Sequence, residues 1–182
     1  NAAAALALFS VVPLRLADTR LIFGENITWV DDHYHLHTEL SKSGEPYGVE
    51  LDARLNPFIN ALILRGCDET WLDHMREECL RSNRPLFIRS DGEGVGYNYV
   101  SDCWRSEYET GEHIARTILH TFLGVELGQA GTDLALAANG QNSPETAKEY
   151  QDSAVSMALR LKGQSSLGEM VKEEHFKIFD FI

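Results

Sequence analysis

The sequence is poor in cysteine, in positive charge and in long apolar runs, and each shortage excludes a class of protein. Only three cysteines, Cys67, Cys79 and Cys103, occur among 182 residues. An odd set with no close pair provides no disulfide framework and no zinc knuckle, and it fits a reducing compartment. The apolar opening AAAALALFSVV is too short to span a bilayer. No basic segment precedes it, no small-residue cleavage site follows it, and Pro13 and Arg15 end it, so it reads as a buried first helix. The chain opens on Asn1 rather than methionine, from which we expect further sequence upstream. Sixteen Lys and Arg stand against 28 Asp and Glu, for a net charge of -12. Such a balance opposes wrapping nucleic acid through bulk positive charge. No internal repeat or low-complexity block is present.

What remains is the composition of a globular protein, 43% apolar and 24% charged, enough for one core and one domain over residues 1–182. A helix is expected over about residues 2–11, with a short one after Pro13. ENITWVDDHYHLHTEL reads as a strand with His33, His35 and His37 on one face and Tyr34 and Leu36 on the other. SKSGEP is a turn and YGVELD a returning strand, which together make a small antiparallel sheet. From Ala53 the period becomes helical, and Leu55, Phe58, Ile59, Leu62 and Ile63 form a core face. Further helices are expected from about Glu69 to Arg81, from NYVSDCWRSEY, and from about Glu112 to Leu127. In the last of these Ile114, Ile118, Leu119, Phe122 and Val125 make an apolar stripe, opposite His113, Arg116, Thr117 and His120. DLALAAN is another short helix, and Pro144 opens a helix that carries Tyr150. The tail ends in FKIFDFI, an amphipathic segment. The fold class is α+β: mostly helical, with a small antiparallel sheet near the N-terminal third.

Several polar residues fall where the periodic pattern has no need of them: Arg15, Lys42, His113, Arg116, Gln141 and Tyr150. Two arginines, a lysine, a histidine and an isolated tyrosine, without paired carboxylates or a metal-ligand cluster, suit a phosphodiester better than an ester or a sugar. Arginine forks bind phosphate oxygens in pairs, and a phenol is able to attack phosphorus and become covalently attached. Alternating histidines on a strand are also able to hold a metal such as zinc. No cysteine or carboxylate at ligand spacing completes that set, so His33, His35 and His37 read as a polar strand face.

The order of these residues resembles the catalytic domain of the tyrosine recombinases, the phage-integrase family. Its Arg-x-x-Glu/Asp after an apolar helix is matched by Arg15-Leu16-Ala17-Asp18, and its lysine in a β-turn by Ser41-Lys42-Ser43-Gly44. His-x-x-Arg is matched by His113 to Arg116, and the Gly-His pair by Gly140-Gln141, where glutamine replaces the second histidine. The nucleophilic tyrosine is matched by Tyr150, after Ser143 and Thr146. Arg116 is followed by Thr-Ile-Leu-His-Thr rather than by the family's His-Thr, which leaves His120 as a supporting candidate. The resemblance spans about residues 4–155. It implies a recombinase or integrase that cuts and rejoins double-stranded DNA through a 3′-phosphotyrosyl intermediate, with no cofactor and no metal. It also implies a DNA-bound tetramer, assembled in part through the C-terminal tail, an N-terminal DNA-clamping domain outside this chain, no membrane, and a cytoplasmic, nucleoid-associated place in a prokaryote or phage. A degraded relative that binds DNA or a partner without cutting is the alternative, favoured by Gln141 and the negative charge.

Overall fold

The computed structural model describes residues 1–111 and 113–139. These group into two compact units, one of Asn1–Arg116 with Ala138 and Asn139, the other of Thr117–Ala137.

The first unit begins with α1 (Ala2–Val11), which buries Ala4, Ala5, Leu8 and Phe9. The Val12 amide still donates to the Leu8 carbonyl, and Pro13, with no N–H to give, stops the helix there. A single three-ten turn follows at Leu16–Asp18. The sheet comes next, with strands β1 (Ile27–Val30), β2 (His33–Glu39) and β3 (Pro46–Glu50), antiparallel in the order β1-β2-β3.

The continuous strand expected across ENITWVDDHYHLHTEL is two strands. Asp31 and Asp32 adopt φ 49 and 64, the left-handed pair that a two-residue hairpin needs, so Val30 pairs with His33. Asp tolerates that region better than most side chains, and an alternation pattern does not show it. The faces are as expected: Tyr34 and Leu36 are fully buried, while His33 and His35 are half-buried and His37 is exposed.

Helix α2 (Asn56–Leu64) turns Ile59, Leu62 and Ile63 to the core. Phe58, expected among them, is 39% exposed. It lies one position from Ile59, about 100° around the helix, and falls off the buried stripe. Asp68 caps the next turn by accepting from the Thr70 amide, leading into α3 (Leu72–Arg81). The irregular segment after it is tied down by bridges between Ile22 and Pro85 and between Ile88 and Gly94. Helix α4 (Tyr99–Tyr108) adds Val100 and Trp104 to the core.

Helix α5 (His113–Leu127) and α6 (Gln129–Ala138) follow. The apolar stripe expected to be buried on α5 is not its buried side throughout. Ile118 and Phe122 are 58% and 60% exposed, while Arg116 and His120 are buried. For Arg116 the reason is hydrogen bonding, described below, which a hydropathy pattern does not register. Among the described residues no helix is long and apolar enough to cross a membrane.

Candidate active site

Arg15 stands at the entrance to the Leu16–Asp18 turn with extended backbone, φ -75 and ψ 153, and is half-buried. Its carbonyl accepts the Asp18 amide at 2.7 Å, closing the turn. Asp18 is buried, and its Oδ1 accepts the backbone N–H of Ser41 at 2.9 Å. The last residue of the Arg-x-x-Asp motif is therefore the anchor for the hairpin that carries Lys42. That hairpin is closed by the Leu40 amide donating to Glu45 at 2.9 Å and the Gly44 amide donating to Leu40 at 2.8 Å. Gly44 takes φ 69, which a residue with a Cβ resists. Lys42 is exposed at the tip, and among the described residues neither it nor Arg15 makes a side-chain hydrogen bond or ion pair.

Arg116 is only 6% exposed. One arm of its fork donates to the Pro13 carbonyl and the other to the Asn139 carbonyl, both at 2.8 Å. The first bond reaches across 103 residues to a point two residues before Arg15. The segment of Arg15, the hairpin of Lys42 and the guanidinium of Arg116 are thus linked by hydrogen bonds within one unit. His113 begins α5 one turn ahead of Arg116 and is exposed. Its ring lies against Gly111, where an added Cβ would stand 3.0 Å from the Nδ1 atom. Gln141 and Tyr150 lie outside the described residues, as do the Pro144 helix and the FKIFDFI tail.

Two features of this region are not legible in the sequence. Asp18 belongs to the Arg-x-x-Asp motif, but its bond to Ser41 is invisible without the fold. Tyr47, on β3, donates its hydroxyl to the Ala138 carbonyl at 3.0 Å. Burial pushes its phenol above the ordinary tyrosine range, and the Arg116 cation draws it part of the way back. The available signal was an aromatic residue on the inward face of the strand that follows the lysine turn.

His35 and His37 stack with ring centroids 6.2 Å apart, and His33 donates from Nδ1 to the Asp31 carbonyl at 2.8 Å. Among the described residues no group of three or more His, Cys, Asp or Glu is placed to hold a metal ion.

Arg15 and Lys42, without a carboxylate partner among the described residues and tied through backbone bonds to the segment that Arg116 grips, make a region suited to an anion. No protein-family model and no curated protein matches the chain. Solved structures do. One is XerH site-specific recombinase bound to palindromic difH substrate in a post-cleavage complex, with TM-score 0.60 and 18% identity over 93% of this chain and 46% of that one. Another is XerH bound to difH substrate in a pre-cleavage complex, with TM-score 0.56 and 16% identity over 82% of this chain and 42% of that one. The chain therefore has a tyrosine recombinase-like fold and spans less than half the length of these two structures.

Proposed function

We propose that this chain is the catalytic domain of a tyrosine-type site-specific recombinase, cutting double-stranded DNA and rejoining it through a covalent 3′-phosphotyrosyl intermediate. The observation that supports it best is the hydrogen-bonded linkage of the Arg15, Lys42 and Arg116 segments on a recombinase-like fold. In this reading Tyr150 attacks the scissile phosphorus. An ordinary phenol, with pKa near 10, is ionised in only about one molecule in a thousand at neutral pH, so the site must help. Arg15 and Arg116 hold the non-bridging oxygens and offset charge on the pentacoordinate transition state. His113 bonds the same phosphate and assists removal of the tyrosine proton. Lys42 gives a proton to the departing 5′-oxygen, and Gln141 donates one amide hydrogen bond to the phosphate. The 5′-hydroxyl of a partner strand then attacks the phosphotyrosine, releasing Tyr150 and restoring the backbone. Double-stranded DNA is the partner, and the protein self-associates on it, in part through the tail.

Covalent trapping on nicked DNA tests this reading. Wild-type protein should form an adduct that Tyr150→Phe abolishes without loss of DNA binding, and a chelator should not affect it. Lys42→Ala should slow cleavage severely on ordinary DNA and recover when the bridging 5′-oxygen is sulfur, a leaving group that needs little protonation. Arg116→Ala should not recover, because a better leaving group does not restore lost charge stabilisation. Rescue of both mutants or of neither removes Lys42 from the general-acid role. A wild-type protein that binds DNA and forms no adduct favours the binding-only reading, to which Gln141 and the net charge of -12 already point.

A further inference from the structure

Two successive backbone carbonyls, those of Ala138 and Asn139, are gripped from different parts of the first unit. The Tyr47 hydroxyl, from the strand after the Lys42 hairpin, takes Ala138 at 3.0 Å, and the Arg116 guanidinium takes Asn139 at 2.8 Å. Asn139 is itself 2% exposed, and among the described residues neither polar atom of its side-chain amide has a hydrogen-bond partner. A buried amide left unbonded costs free energy, so its own side chain does not hold this dipeptide in place. The two carbonyl bonds reach it from β3 and from α5. In sequence the dipeptide leads directly into Gly140-Gln141 and on to Tyr150.

We infer that Tyr47 is a positioning residue for the strand-transfer reaction: its hydroxyl latches the Ala138 carbonyl beside the Arg116–Asn139 bond and so sets where the chain carrying Gln141 and Tyr150 departs. The inference rests on the function proposed above. A neutral phenol is needed for the latch, because a phenolate has no proton to donate to a carbonyl. Burial favours that neutral form. The geometry also links the lysine hairpin to the tyrosine segment. Lys42 lies in the turn that leads into β3, the strand that carries Tyr47. Reacting groups need to be held closely for in-line attack, and a loosened anchor lowers the fraction of correctly placed nucleophile rather than the affinity for DNA.

Tyr47→Phe removes the hydroxyl and keeps the ring, and Tyr47→4-aminophenylalanine restores a donor at the same place. Two readouts are taken on the intact protein: amide hydrogen exchange at residues 139–141 without DNA, and adduct formation on nicked DNA at saturating concentration. The phenylalanine variant should exchange faster at those amides. It should form adduct about tenfold more slowly, the scale of one lost hydrogen bond, with DNA affinity within about twofold of wild type. The amino variant should recover both properties. Unchanged exchange in Tyr47→Phe, a loss of adduct matched by an equal loss of DNA affinity, or no recovery by the amino variant overturns the latch. An adduct-negative wild type overturns the strand-transfer reading and the positioning role built on it. The exchange result then still decides whether the Ala138 bond exists.

Discussion

Arg76 shows how a charge is kept in a core. Its side chain is 8% exposed, whereas that of its ion-pair partner Asp73 is 89% exposed. The guanidinium carbon lies 4.0 Å from the Trp29 ring centroid, and Nε–H donates to the Tyr34 hydroxyl at 3.1 Å. Tyr34 in turn donates to Asn60 Oδ1 at 2.6 Å. The stabilising contacts are thus the aromatic face and the buried hydroxyl, not the solvated carboxylate. Arg76→Ala should destabilise the fold by about 2–4 kcal/mol, from the lost cation–π contact, the lost Nε–H bond to the Tyr34 hydroxyl and the space left by a buried side chain. Asp73→Ala should cost less than about 1 kcal/mol, as for other exposed pairs. Urea midpoints measured at constant slope would show the difference. Equal losses in the two variants would mean that the ion pair, and not the ring, holds the arginine. The sequence marks Arg76 only as one more charge on an amphipathic helix, since nothing local to α3 announces Trp29 and Tyr34.

Helices α5 and α6 meet so closely at Gly131 that an added Cβ would collide with the Leu123 carbonyl. Backbone atoms do not give way as a flexible side chain does. In an unconstrained helix, Gly to Ala stabilises by roughly 1 kcal/mol. Here the overlap should reverse the sign, and Gly131→Ala should destabilise by about 1–3 kcal/mol. Gly96→Ala, where nothing lies within 4 Å, should stay within about 0.5 kcal/mol of wild type. Thermal melts followed by circular dichroism compare them. A stabilised Gly131→Ala protein would show that the two helices are not in contact there. The same scale explains what patterning missed. The Asp31-Asp32 hairpin depends on a backbone region that alternation does not report, and α5 buries Arg116 because two distant carbonyls accept its fork.

At the scale of the molecule, three phenols share one direction of shift. Burial pushes Tyr34, Tyr47 and Tyr99 above the ordinary tyrosine value of 10.0, and for Tyr99 the bond with Cys103 adds to it. A raised folded-state pKa means that the fold favours the neutral phenol. The contribution to stability is therefore full below about pH 10, the unfolded value, and is lost as pH rises through the folded values. Urea stability should be level from about pH 8 to 9 and decline above about 10, with tyrosine ionisation appearing together with unfolding. Self-repulsion in a chain of net charge -12 predicts an alkaline loss as well. Salt separates the two, because screening relieves repulsion between surface charges far more than it relieves the cost of burying a phenolate. An alkaline loss abolished by salt would count against the tyrosines.

The sequence by itself determined the class of the fold, the order of its elements, the alternating faces of β2 and the succession of Arg15, Lys42, His113 and Arg116. Those features are local, carried by period, by proline and glycine stops, and by residue spacing along one chain. Only the tertiary structure decided that Asp18 fastens the Lys42 hairpin, that Arg116 is buried between Pro13 and Asn139, and that Tyr47 reaches Ala138. Each of these is a bond to a backbone group 23 to 103 residues away. Every residue except proline carries the same donor and every residue the same acceptor, so no side-chain pattern reveals which carbonyl or amide a distant group will find.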